Sequence, residues 1–372
     1  MRAEQQLPTT APEQQGMDPD KLQAAFRLLE REIDSGEIPG GVALVGRGGV
    51  IVGSCAAGRA IVTQEQELPV TEDTIYDCAS LTKVMVTLPL ILQLIDRGEL
   101  RLKDPVARFF PDFAAGGKGE VTILHLLTHT SGFQAYKNLH AHGWTPQQIR
   151  AAVMEETLLY PCGGGYEYSD FNYIVLGELA AHLFGLPLDE AARRYVLEPL
   201  GMTRSGYRPA AELRPQIAAT EFMQGSCRWG EVHDENAWAM GGVSGHAGLF
   251  ATAHDAAKYA AMWLNKGCLA DGSSLISAAA VEAATRSYTR ELEHANRGLG
   301  WVLKGDKWDA SGDWFSPRSF GHTGFTGTSL WMDPASQVFA VLLTNRVHYG
   351  REKSVARLRD CFHNAVAASI RS

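Results

Sequence analysis

The sequence predicts an α/β protein of the α+β type: a mainly antiparallel sheet flanked by helices, with a mostly helical domain inserted from the middle of the chain. Each end of the chain supplies a helix and a pair of strand-like runs, whereas the stretch from Leu81 to about Ala239 reads as helix and loop. No Pro, Gly and Ser hinge separates two halves, and no internal repeat is visible. Residues 1–79 and 240–372 are therefore expected to form a discontinuous sheet domain, and residues 80–239 the helical one.

Asp18 and Pro19 read as an N-cap followed by proline at the first helical position, and Leu22, Phe26, Leu29 and Ile33 recur at helical spacing. Pro39, Gly40 and Gly41 are expected to end that helix. Val42–Val45 and Val50–Val52, joined through Gly46–Gly49, predict a hairpin. A long apolar helix follows Ser80, and Pro89 inside it must kink it or leave one carbonyl unpaired. Near the far end, Ser329–Met332 and Val338–Leu343 predict two strands joined by Asp333–Ser336, and Val355, Leu358, Phe362 and Val366 mark a closing helix.

With 372 residues, 45% hydrophobic and 20% charged, the chain is long enough for a large core. A net charge of -8 argues against nucleic acid or an anionic membrane as partner and leaves small molecules or peptides. The six cysteines are scattered without a Cys-x-x-Cys pair, so they suggest neither a zinc site nor a disulfide scaffold. No stretch approaches ~18 uninterrupted apolar residues, and Met1–Pro8 lacks the apolar core of an export signal. The chain as given is thus expected in the cytoplasm, without a membrane span; one trimmed of its signal would look the same.

Three segments carry chemistry. Ser80 and Lys83, three apart at a helix start, place a hydroxyl beside an amine able to take its proton, and a serine needs such a base to attack a carbonyl. Tyr168 follows the glycine-rich run Gly163–Gly165 and precedes a helix beginning near Ile174; a phenol beside a lysine can relay protons. Gly321–Gly327 reads as the opening of the strand that ends in Trp331. Its glycines admit a substrate backbone, and the Phe325 N–H pairs with that of Ser80 as an oxyanion hole. Trp301, Trp308 and Trp314 precede it and are candidates for the core or a cleft wall.

Taken in order, Ser80-x-x-Lys83, Tyr168-Ser169-Asp170 and His322-Thr323-Gly324 resemble the motifs of the penicillin-recognising serine enzymes, and the chain is similar to their class C β-lactamase branch, which includes DD-peptidases and esterases. The resemblance extends to His125–Gly132, His233–Ala237, Gly245–Phe250 and Leu342–Arg346. It implies an active site in the cleft between two domains and no cofactor or metal. Ser80 is then the nucleophile, Lys83 its proton acceptor, Tyr168 the relay to the leaving group, and His322-Thr323-Gly324 the cleft edge. Two positions depart from the pattern. Asp170 replaces asparagine, so it cannot donate to a substrate amide and favours charged Lys83; Asn172 is a candidate to compensate. His322 replaces lysine and is a cation only when protonated. Small esters therefore suit the site best, with D-amino-acid peptides or weak β-lactam hydrolysis as alternatives and a non-catalytic cell-wall-peptide or penicillin binder as a further one. A metal hydrolase built on His125 and His129 is the remaining rival, but Leu126 stands where its general base belongs.

Overall fold

The computed structural model of the chain describes residues 6–223 and 226–371; Met1–Gln5, part of the segment judged free of an export signal, lies outside the described residues. Seven strands make one antiparallel sheet flanked by helices, the class expected: β1 (Gly40–Arg47), β2 (Val50–Val62), β3 (Glu67–Pro69), β4 (Val302–Leu303), β5 (Phe320–Thr323), β6 (Ser329–Asp333) and β7 (Val338–Thr344). Their order is β3-β2-β1-β7-β6-β5-β4. The two chain ends meet where β1 lies against β7, with Gly41 opposite Thr344 and Arg47 opposite Val338.

Apart from Arg47 and Thr344 at their ends, the strands at this seam carry no polar side chain, because both faces are covered. Ala43 and Val45 pack with Leu22, Phe26 and Leu29 of the helix Pro19–Asp34 and with Phe362 and Val366 of the helix Ala356–Ala368. Their neighbours Val42 and Leu44 face the other way, onto a larger core that includes the helix Ala253–Leu264 and most of the middle of the chain. Asp18 caps the first helix, accepting from the N–H groups of Asp20 and Lys21. Among the described residues no single helix is long and apolar enough to cross a membrane.

Three elements differ from expectation. The first helix stops at Asp34, and Gly40 and Gly41 belong to β1. A Cβ on Gly40 would lie 2.6 Å from the Arg59 nitrogen on β2, so this glycine serves strand pairing rather than helix termination. Residues 321–327 do not open one strand: β5 ends at Thr323, the chain turns, and β6 returns antiparallel with Ser329 opposite Thr323. The helix expected from Ile174 runs Asp170–Phe184, which places Asp170 in its first turn.

Pro89 finds its explanation here. Lys83–Thr87 is a π-helical turn, and the α-helix Leu88–Asp96 follows it with the proline at its second position. The backbone stays helical across this junction, so the proline withholds an N–H that the ladder would have used. The carbonyl it would have reached in π spacing, that of Val84, accepts instead from the buried Tyr259 hydroxyl.

Candidate active site

Ser80 sits at the end of a loop whose strain is visible. Ala79 has φ 46°, an uncommon conformation for a residue with a Cβ. The buried Asp77 carboxylate holds it there, accepting from the Ala79 N–H (2.8 Å) and the His233 N–H (2.6 Å). The turn between β5 and β6 is fastened to the same loop. The Thr326 and Thr328 hydroxyls donate to the carbonyls of Asp77 and Cys78, at 2.7 and 3.0 Å. A Cβ at Gly324 would stand 2.5 Å from the Cys78 carbonyl oxygen, so only glycine permits this approach. Among the described residues, the N–H groups of Ser80 and Phe325 donate to no other group.

Lys83 is fully buried and lies within hydrogen-bond distance of three acceptors: Ser80 Oγ at 2.9 Å, Asp170 Oδ1 at 2.7 Å and the His246 carbonyl at 3.1 Å. An ammonium would donate to all three. A neutral amine would donate to Asp170 and His246 and present its lone pair to Ser80. Burial pulls the lysine down, but the Asp170 carboxylate and Tyr168 outweigh it and hold the amine above its ordinary range, so the charged form is the resting one. The Tyr168 ring lies 5.1 Å from Lys83 Nζ and has the imidazoles of His129 and His322 at 4.5 and 5.9 Å between centroids.

His322 lies on β5, and its Nδ1 hydrogen faces the Thr323 carbonyl at 2.8 Å. Burial first, then the charges of Arg297 and Lys83, push it well below the usual histidine range, and it is neutral at pH 7. Asn172 does not compensate for Asp170. It is buried with its amide on Ser131 Oγ and His129 Nδ1, at 2.6 and 3.1 Å. His125 closes a capping box with Thr122, while His129 accepts from the Ser169 N–H, so the two histidines serve separate contacts. Asp170, Asp234 and His246 bring potential ligand atoms within 4.8 Å of one another. Each is already engaged, Asp170 by Lys83 and His246 by Asp234 at 2.9 Å.

The structure thus brings Ser80, Lys83, Tyr168, Asp170, His322, Thr323, Gly324 and Phe325 to one cleft of about 1000 Å³, with Ser80, Tyr168, Asp170 and the 322–325 edge on its walls. Trp308 lines it as well, whereas Trp301 is buried in the core. Sequence reasoning missed Arg297. This arginine is 1% exposed, paired with Asp306 at 3.2 Å, and set over the Tyr166 and Tyr168 rings at 5.4 and 5.5 Å. Nothing in the polar run around it marks it out. His246 stood in a noted run, but the role of its carbonyl has no side-chain signature.

Comparison with known proteins places this arrangement in a family. The beta-lactamase family model matches residues 21–362. A protein of Salmonella agona described as "Putative D-alanyl-D-alanine carboxypeptidase" is 34% identical over 379 residues, covering 92% of this chain and 86% of its own. An Escherichia coli K12 protein of the same description is 34% identical over 378 residues, with the same coverage. A penicillin-binding protein homologue from Caulobacter crescentus shares the fold with a TM-score of 0.77 at 23% identity, over 95% of this chain and 99% of that one. A hydrolase with promiscuous acyltransferase activity superposes at 0.74 and 22% identity, over 94% and 99% of the two chains. A class C beta-lactamase gives 0.74 at 20% identity, over 95% and 97%. With the family model spanning nearly the whole chain and relatives above 30% identity along it, the protein belongs to the beta-lactamase family and is a serine hydrolase of that family.

Proposed function

We propose that the protein hydrolyses small aryl esters through an acyl-enzyme on Ser80. Ser80 Oγ attacks the ester carbonyl carbon as its proton passes to neutral Lys83. The N–H groups of Ser80 and Phe325 receive the oxyanion, and the bond to the leaving oxygen breaks as Tyr168 hands that oxygen a proton and takes in its place the one Lys83 had accepted. Water then enters by the same route and releases the acid, restoring the Ser80 hydroxyl.

The observation that carries the ester reading is the Asp170–Lys83 ion pair. The residue placed where an amide donor would greet a peptide or β-lactam side chain is an acceptor committed to the lysine. Neutral His322 adds to this, since it offers no charge to a substrate carboxylate.

A second reading, cleavage of a D-alanyl peptide, is favoured by Arg346 and Arg359. Among the described residues, these two arginines on the cleft wall have no carboxylate as a hydrogen-bond partner, and burial together with Arg346 pushes Arg359 down to about 9. The description carried by the 34% identical relatives points the same way. Comparing kcat/KM on a p-nitrophenyl acyl series, nitrocefin and a D-Ala-D-Ala peptide separates the readings. The esters are expected to give the largest values, and a larger value for the peptide or nitrocefin overturns the ester assignment. Ser80→Ala is expected to abolish turnover by more than about 1000-fold while the protein stays folded.

A further inference from the structure

Within the acyl-enzyme reading just given, on which this step rests, we infer that Trp308, with Lys307 beside it, forms the subsite for the leaving group and selects planar aryl alcohols. The leaving oxygen must lie at Tyr168 to receive its proton, so the rest of the leaving group extends along whatever wall adjoins that ring. That wall is Trp308, whose ring centroid lies 6.4 Å from that of Tyr168.

Trp308 is 52% exposed and lines the cleft, and the backbone that carries it is held. Its backbone N–H donates to Asp306 Oδ1 at 2.8 Å. The Asp306 side chain is wholly buried, accepts from the Asn296 N–H at 2.8 Å and pairs with Arg297. Asp309 closes the same turn by accepting from the Gly305 N–H at 2.9 Å. A half-open indole on a turn held by a buried carboxylate and a partly buried one is a prepared apolar surface, and stacking a second ring on it costs little ordering. Such pairs gain beyond the area they bury. Lys307 lies 5.8 Å from the Trp308 ring and 4.9 Å from that of Tyr166, so an ammonium stands close to where a phenolate charge would grow as the ester bond breaks.

The leaving group has departed before deacylation begins, which gives a readout that general damage to the fold would not reproduce. With p-nitrophenyl acetate and ethyl acetate as the pair, Trp308→Ala is expected to lower the aryl-to-alkyl ratio of kcat/KM by about 10-fold, the scale of an apolar pocket contact. Trp308→Phe is expected to restore most of it. The deacylation rate of the acetyl-enzyme, followed by mass spectrometry after rapid mixing, should equal that of the unaltered protein. An unchanged ratio, or a ratio that falls only together with slower deacylation, overturns the subsite. Failure of the underlying reading is separately visible, because the unaltered protein would then show no acetyl adduct on Ser80.

Discussion

Asp170 is the residue on which the chemistry of this site turns. Its carboxylate lies 2.7 Å from a buried ammonium, and that contact both positions Lys83 and keeps it charged. A lysine that must be neutral to accept the Ser80 proton and is held above its ordinary range does so in a growing fraction as pH rises. The proposed ester activity is therefore expected to climb with pH through the alkaline range. Asp170→Asn removes the charge but keeps a side chain of the same shape, and burial then pulls the lysine down. The rising limb of kcat/KM against pH is expected to move to lower pH by more than about one unit, since each unit corresponds to only ~1.4 kcal/mol of differential interaction. The same variant gains an amide donor and should react faster with nitrocefin. A limb that stays in place would show that Lys83 is not the group whose deprotonation controls the rate.

At the scale of elements, the loop that carries Ser80, the π-helical turn Lys83–Thr87 and the β5–β6 turn are one fastened unit. The sequence displayed the chemistry of this unit but not its joints. Ser80, Lys83 and Tyr168 are legible because the proposed nucleophilic chemistry needs those residue types at those spacings. Asp77 and the His246 carbonyl are not, since each meets its partner more than 150 residues away along the chain, and neither is Arg297, whose place over the Tyr166 and Tyr168 rings only the fold creates. Pro89 shows the difference well: the sequence announces a broken hydrogen bond, and only the fold reveals that Tyr259, on a helix 170 residues later, supplies the missing donor. Tyr259→Phe leaves the Val84 carbonyl buried without a partner, which should cost about 1–3 kcal/mol. Urea unfolding of the variant measures it, and an undiminished midpoint would mean that the carbonyl is satisfied in another way.

The whole molecule is closed by its ends, and that closure carries a pH dependence of its own. β1 and β7 form the seam of the sheet, and the helix Ala356–Ala368 lies over it with His363 fully buried against Phe315, Trp331 and Phe362. The apolar period along both termini made the sheet and its covering helices readable, but a histidine on the buried stripe of a helix gives no sign of its ionisation. Its Nδ1 hydrogen faces the Ala310 carbonyl at 2.6 Å, and burial, opposed only partly by that bond and by Asp309 and aided by Arg359, pushes it down to about 4. The unfolded chain takes up this proton near pH 6.5. Between those values the unfolded state binds more protons than the folded one, so stability falls as the pH falls and the loss is complete below about pH 4. The shift corresponds to about 3 kcal/mol. His129 and His322 are displaced in the same direction by burial, and they add to the acid sensitivity. His363→Gln retains a donor for Ala310 without a titrating ring. The variant is expected to lose one proton's worth of slope in unfolding free energy between pH 6.5 and 4, and an unaltered slope would place the acid sensitivity elsewhere.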